Sequence, residues 1–405
     1  MKIWHPYTQE AAEPAPIYID RGEGAYLYTR DGRRLIDGIS SWWVNLHGHA
    51  HPLIAEAVAA QARKLEHVIF AGFTHEAAEE LAARLARVLP PELDRLFYSD
   101  NGSTAVEAAL KIAVQHWYNQ GRKEKCRIVA LEHAYHGDTV GAMSVSADSP
   151  FTAAFDALRL PVLRVRDSNE LDRLLSARKN EIAAMIVEPL VQGAAGMLMY
   201  PAEELKRFRE LCTAHDVLLI ADEVFTGFGR TGRMFSCEHA GITPDLMCLS
   251  KGLTGGFLPL AVTVCRREIY ESFHSSDRMR TFFHGHSYSG NPLGCAAAIA
   301  NLKVFESEPV SDRIAAIERI HRERLAAFRD HPRAADVRML GTIAAVELRA
   351  DDAGYLSNLR TRLYDFFIEH GVLLRPLGNV IYTVPPYVIR PEDLHYIYDV
   401  IGKAL

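Results

Sequence analysis

The sequence predicts an α/β fold, a large and mostly parallel sheet flanked by helices, joined to a smaller α+β unit. Short apolar runs alternate with helical stretches between about residues 95 and 305. Those runs are apolar throughout, as strands covered on both faces must be. After about residue 310 the pattern changes to a charged helix and then to mixed pieces. A chain of 405 residues is also longer than one hydrophobic core usually supports.

The elements follow in order. The first fifty residues are rich in Gly, Pro and aromatics, with strand-like pieces at 25–28 and 34–37. From Pro52 the spacing of Leu53, Ala57, Ala60 and Lys64 predicts a helix, and 75–88 a second one. Residues 95–99 read as a strand, 103–119 as a helix and 127–131 as a strand. The runs 184–187 and 217–221 are each followed by an acid, Glu188 and Asp222. Residues 247–250 and 260–265 are further strands, 291–305 a helix after a Gly-Asn-Pro break, and 312–329 a charged helix. The expected division is an N-terminal segment 1–50 joining the small domain, a large domain 51–305 and a C-terminal small domain 306–405. No fixed-period repeat or low-complexity segment interrupts it.

Composition excludes several classes. With 48% apolar and 24% charged residues the chain is neither disordered nor collagen-like. A net charge of −6 with no basic cluster gives no footprint for nucleic acid. The six cysteines are scattered singly without C-x-x-C spacing, so free thiols in a reducing cytoplasm are expected. The first residues lack the apolar stretch of a signal peptide, and no run approaches the roughly 20 residues of a membrane span. A cytoplasmic location and no membrane partner are therefore predicted.

In open α/β sheets ligands bind beyond the carboxyl ends of the strands, so chemistry is sought there. Ser99-Asp100-Asn101-Gly102-Ser103-Thr104 joins a strand to a helix, where free amides and a hydroxyl suit an anion. An ordinary helix cap is the plainer reading of that segment alone. Asp222 ends an apolar strand, where a carboxylate can hold a cationic ring nitrogen. Lys251 sits between an apolar strand and Gly252, poorly solvated and suited to covalent amine chemistry. Either alone has a bland alternative, a loop-capping acid or a lysine reaching for solvent. Together, both at strand ends and 29 residues apart, they begin to discriminate. Gly227-Phe228-Gly229-Arg230-Thr231-Gly232 fits the letter of a dinucleotide fingerprint, yet residues 233–237 are a poor helix start. A nucleotide-binding dehydrogenase is the cross-class alternative resting on it. The alternating His47, His49 and His51, with His284 and His286, have no acid or cysteine at ligand spacing, and no metal is expected.

These residues, read together, resemble the class III (ornithine-type) pyridoxal-phosphate aminotransferases of fold type I. The resemblance rests on 99–107, 134–139, 187–189, 221–232, 249–256 and 284–293, in family order along nearly the whole chain. It implies pyridoxal 5'-phosphate bound covalently by Lys251, which then shuttles the substrate proton, with Asp222 at the pyridine nitrogen and Tyr135 stacked on the ring. It implies a phosphate site of Asn101, Gly102 and Ser103, completed by Ser287 beside His286 from the neighbouring subunit of a homodimer. Glu188 and Asp138 would support these groups. The substrate side would comprise Tyr7, Trp42, Tyr135, Lys251, Gly285 and Arg375, the last receiving a carboxylate. Trp43 is read as core packing.

Within the family, Trp4-His5-Pro6-Tyr7-Thr8 and the tandem Trp42-Trp43 resemble the biotin-pathway branch. That branch aminates 8-amino-7-oxononanoate, and S-adenosylmethionine is the donor the resemblance implies. The stretch His284-Gly285-His286-Ser287-Tyr288 resembles relatives that take lysine instead, which is the alternative donor. Another ω-aminotransferase, acting on ornithine, 4-aminobutyrate or β-alanine-like amines, is the alternative activity.

Overall fold

The computed structural model describes residues 2–351 and 358–405. Its centre is a seven-stranded sheet. In spatial order the strands are Leu93–Ser99, Ala261–Arg266, Leu246–Leu249, Leu218–Asp222, Ile182–Val187, Arg127–Leu131 and Val162–Val165. Only Ala261–Arg266 runs antiparallel to its neighbours. The central strands are buried at every residue, which explains their unbroken apolar sequence. This is the architecture of the fold type I transferases.

The helix Gly102–Asn119 lies on this sheet through Ala105, Ala108, Ala109 and Ala113, small side chains that allow close approach. Its N-terminus is fixed by a capping box: Asn101 Oδ1 accepts from Thr104 N at 3.0 Å and Thr104 Oγ1 accepts from Asn101 N at 3.1 Å. The helix Pro292–Ser307 is buried almost throughout and packs against Pro52–Lys64 and Glu76–Val88.

Ile19–Glu23, Tyr26–Thr29 and Arg34–Asp37 form an antiparallel sheet, and Val372–Leu373 joins it in parallel beside Ile36 and Asp37. Ala334–Leu340, Ile343–Leu348 and Val380–Thr383 make a three-stranded antiparallel sheet, with Val310–Ala326 and Pro391–Ala404 among the accompanying helices.

The elements named from the sequence lie within a few residues of those observed, but Val162–Val165, the helices Ser168–Arg178, Ala202–Ala214 and Pro391–Ala404, and Val372–Leu373 are among those left out. Gly227–Gly232 is a series of turns, buried up to Thr231 and exposed at Gly232, followed by a 3-10 turn at Ser236–Ala240. The long helix that a dinucleotide fingerprint must open is absent there. Among the described residues no helix is long and apolar enough to cross a membrane.

Candidate active site

At the carboxyl ends of the central strands lies a cavity of about 460 Å³. Asp222 and Lys251 both line it, because Leu218–Asp222 and Leu246–Leu249 are paired in parallel with Asp222 opposite Cys248. Register brings the two strand ends together, and the turn that begins at Lys251 sets the lysine at the cavity that Asp222 lines.

Asp222 is almost fully buried, and its charge is met by protein donors. His136 Nδ1 lies 2.7 Å from Oδ2, and Val224 N donates to Oδ1 at 3.1 Å. The far nitrogen of His136 is buried without a partner. A carboxylate held this way keeps its direction and can engage a protonated ring nitrogen.

Lys251 adopts φ +43, a left-handed conformation uncommon for a side-chain-bearing residue. Its turn is clamped by Asn301 Nδ2, which donates to Gly252 O and Leu253 O at 3.0 Å each. The ammonium lies 4.8 Å from the Trp43 ring centroid and 5.5 Å from that of Phe225. Burial pushes its pKa down to about 8, against the opposing pull of the Asp222 and Glu188 charges. A neutral amine is thereby accessible near neutral pH, which a nucleophile and proton carrier requires.

Glu188 is buried beside them, accepting from Tyr135 N at 2.9 Å and Gly193 N at 3.0 Å. Desolvation raises its pKa to about 7. Tyr135 donates through its hydroxyl to Asp138 Oδ1 at 3.0 Å, and burial raises its own pKa further above the usual phenol value.

The first turn of Gly102–Asn119 closes the cavity. The capping box occupies Thr104 N, which leaves the Gly102 and Ser103 amides free of intrahelical partners. Thr139 Oγ1 is buried and unpartnered on the same wall. A Cβ on Gly102 would approach Val224 Cγ1 to 2.7 Å, and one on Gly137 would fall 1.9 Å from Ser103 Oγ. Backbone can reach an anion here only because both are glycine.

The mouth is built from separate segments. Tyr7 donates to Asp138 Oδ2, and its ring meets Trp42 at 5.6 Å and Phe151 at 5.9 Å, both edge-on. The Arg375 guanidinium lies 5.2 Å from the Trp42 ring centroid.

The structure therefore brings together Asn101, Gly102, Ser103, Tyr135, Asp138, Glu188, Asp222 and Lys251 at the cavity. Tyr7, Trp42 and Arg375 adjoin it at the mouth. Gly285, His286 and Ser287 are exposed and do not line it, although His286 Nε2 comes to 3.8 Å from Asp100 Oδ1. Trp43 is buried, as core packing requires, yet the same indole also walls the cavity. Sequence reasoning missed His136, Thr139 and Phe225. All three stand within segments already singled out, three residues or fewer from Asp222 or Tyr135 or one residue from Asp138. Phe151 carried no such signal.

The family model for class-III aminotransferases matches residues 7–405. The chain belongs to the class III aminotransferases. It is 49% identical to the adenosylmethionine-8-amino-7-oxononanoate aminotransferase of Synechococcus elongatus, covering all of this chain and 98% of that protein. With the enzyme of that name from Geobacter sulfurreducens it shares 43% identity over all of this chain and 95% of the relative. The crystal structure of the like-named Methanocaldococcus jannaschii enzyme superposes with a TM-score of 0.96 at 37% identity, covering 100% of this chain and 96% of that one. A PLP-bound amine transaminase from an uncultivated Pseudomonas species gives 0.93 at 32% identity, covering 100% and 98%.

Class III aminotransferases use pyridoxal 5'-phosphate, and this cavity suits it in kind. It offers one buried acid for a ring nitrogen, one depressed lysine for an aldehyde, an aromatic wall, and a glycine-lined helix terminus for a phosphate.

Proposed function

We propose that this aminotransferase converts 8-amino-7-oxononanoate to 7,8-diaminononanoate in biotin biosynthesis, with S-adenosylmethionine as amino donor. The observation that carries this choice within the family is the full-length likeness to relatives bearing that name, at up to 49% identity. The aromatic mouth of Tyr7, Trp42 and Phe151 supports it. An aliphatic oxononanoate chain and an adenine both call for such surface, and a sulfonium gains from facing aromatic rings. Arg375, against Trp42, is our candidate for the substrate carboxylate.

The bound cofactor supplies an electron sink for the carbanion formed at the substrate carbon. The chain's own groups do the rest. Asp222, oriented by His136, holds the pyridine nitrogen in its protonated form. Lys251 would provide the covalent anchor, and its Nζ would carry the proton to and from the substrate carbon. The Gly102 and Ser103 amides, with the Asn101 segment, hold the phosphate. Tyr135 would cover the ring and, with Trp43 and Phe225, which line the same cavity, would keep water from the amine.

We further propose a homodimer in which Ser287 and its neighbours His286 and Gly285 complete the partner's site. Their exposure here, beside Phe283 at 70% and Tyr288 at 62% exposed, supports a covered surface. The division we propose takes 51–305 as the cofactor-binding unit, with 1–50 joined to 306–405. The pairing of Val372–Leu373 with Ile36 and Asp37 supports it.

The test is a donor assay on the purified holoenzyme. S-adenosylmethionine should discharge the visible absorbance of the lysine-bound cofactor, and adding 8-amino-7-oxononanoate should yield 7,8-diaminononanoate. Discharge by lysine alone would replace the donor. Product with neither would overturn the substrate.

A further inference from the structure

Asp37 is a fully buried carboxylate that the chemistry above does not use. It ends the strand Arg34–Asp37 and faces the turn that follows. Its Oδ1 accepts from Ile39 N at 3.1 Å, its Oδ2 from Ser41 N at 2.7 Å, and His49 Nε2 lies 2.8 Å from Oδ2. His49 is held in turn by Asn45, whose Nδ2 is 3.2 Å from Nδ1.

The turn it serves is strained. Ser40, Ser41 and Trp43 have φ of +52, +61 and +64, and none is glycine. L-residues enter this region only where the surroundings over-determine them. Further ties do exist: Ser40 Oγ donates to Val384 O at 2.8 Å and Trp43 Nε1 to Tyr382 OH at 3.1 Å. Trp43 N donates to Ile39 O at 3.0 Å, and Asp37 is the side chain that takes the amides on both sides of Ser40, those of Ile39 and Ser41.

What the strain achieves is a division of labour between adjacent indoles. Trp42 is sent to the mouth, against Tyr7 and Arg375. Trp43 is sent inward, 4.6 Å from the Phe225 ring and over the Lys251 amine. The His47-Gly48-His49-Ala50-His51 run, which resembles a metal-ligand pattern, has here a different use for its middle histidine.

We propose that Asp37, with its carboxylate fixed by His49, is the positioning residue of the tandem-tryptophan turn, governing substrate affinity through Trp42 and the environment of Lys251 through Trp43. The substrate named in the test rests on the function proposed above; the arm on Lys251 does not.

Asp37→Asn keeps the volume and one acceptor but loses the charge that gathers three donors. In the full-length holoenzyme, KM for 8-amino-7-oxononanoate should rise about tenfold, with kcat within about threefold of wild type. In the cofactor-free chain, the pH midpoint at which Lys251 reacts with pyridoxal phosphate should move upward from about 8, because a loosened Trp43 admits water. Asp222 and Glu188, which also act on Lys251, are untouched in this variant, whereas Arg230 loses the Asp37 charge that acts on it. His49→Leu should raise KM by about threefold, and His49→Gln, which restores a donor, should return it toward wild type. A loss of thermal stability with KM and the Lys251 midpoint both at wild-type values would reduce Asp37 to a fold-stabilising cap and overturn the proposal. Should Asp37→Asn not fold, His49→Leu decides by the same two readouts. If the wild-type chain fails to turn over the oxononanoate, the functional reading falls, while the Lys251 midpoint still judges the turn.

Discussion

The deep end of the site and its mouth are made in different ways. Asp222 and Lys251 stand at the ends of paired strands, so the sheet's register and the turn that begins at Lys251 set their separation. Around them His136 and Glu188 are buried and donors face acceptors: His136 on Asp222, and Tyr135 N and Gly193 N on Glu188. At the mouth, Tyr7, Trp42, Phe151 and Arg375 come from four separate segments, and the three aromatics are 37%, 43% and 40% exposed. Trp42 and Arg375 follow the paired ends of Arg34–Asp37 and Val372–Leu373, but Tyr7 and Phe151 come from turns outside any strand. Chemistry common to a family belongs where backbone fixes geometry, and substrate choice belongs where side chains can be exchanged at little cost to the fold. Damage to the deep end should therefore act on kcat, and damage to the mouth on KM.

The largest effect should come from Lys251→Ala, which removes both the covalent anchor and the proton carrier. Turnover should fall by about 10⁴-fold or more while the protein remains folded, and the visible absorbance of the lysine-bound cofactor should vanish. Normal turnover without added amine would break the comparison at its strongest point. Asp222→Asn keeps the shape and the Val224 contact but not the charge that keeps a ring nitrogen protonated. The rate should fall on the order of 10³-fold, with cofactor still retained. A near-normal rate would mean that another group fixes that nitrogen.

How far each region was legible in the sequence follows the same division. Strand-end acids and the lysine were visible because an apolar run announces a strand and its last residue announces the site. The phosphate-side helix was visible in residues 99–104 as a cap, although the capping side chain is Asn101 rather than the Ser103 of the plain cap reading. The double role of Trp43 was hidden, since it depends on positive φ at Ser40, Ser41 and Trp43, which no propensity predicts. Tyr7, Trp42 and Arg375 could be gathered only through family resemblance, and Phe151 not at all. Val372–Leu373 is two residues long and pairs with a strand from the other end of the chain, beyond the reach of local pattern.

At the mouth, Trp42→Ala should raise KM for the oxononanoate by about 10- to 30-fold and leave kcat nearly unchanged, as expected for loss of one partly buried aromatic contact. Steady-state kinetics on both substrates checks this. An equal fall in kcat would mean that the mouth and the deep end are mechanically one unit, contrary to the division drawn above.

The smallest effect sharpens the deep end itself. Glu188 is fully buried with its pKa raised to about 7, mainly by desolvation. A raised carboxyl pKa means that between about pH 4.5 and 7 the folded chain holds a proton the unfolded chain has released. Stability attributable to this group therefore declines as pH rises through that window, by an amount on the order of 3 kcal/mol, and is level above it. Glu188→Gln removes the titration. Only the amide oxygen remains as an acceptor, so either Tyr135 N or Gly193 N loses its partner, at a cost of about 1 kcal/mol. The variant should match or fall slightly below wild type near pH 4.5 and exceed it above pH 7, by a few degrees in thermal unfolding. The same substitution removes an anionic neighbour from Lys251, so the amine's midpoint should fall below about 8 and cofactor reloading should reach its plateau at lower pH. Parallel melting curves for the two proteins across pH 4.5 to 8, with no divergence, would show that Glu188 stays ionised throughout and that the deep end is wetter than its burial implies.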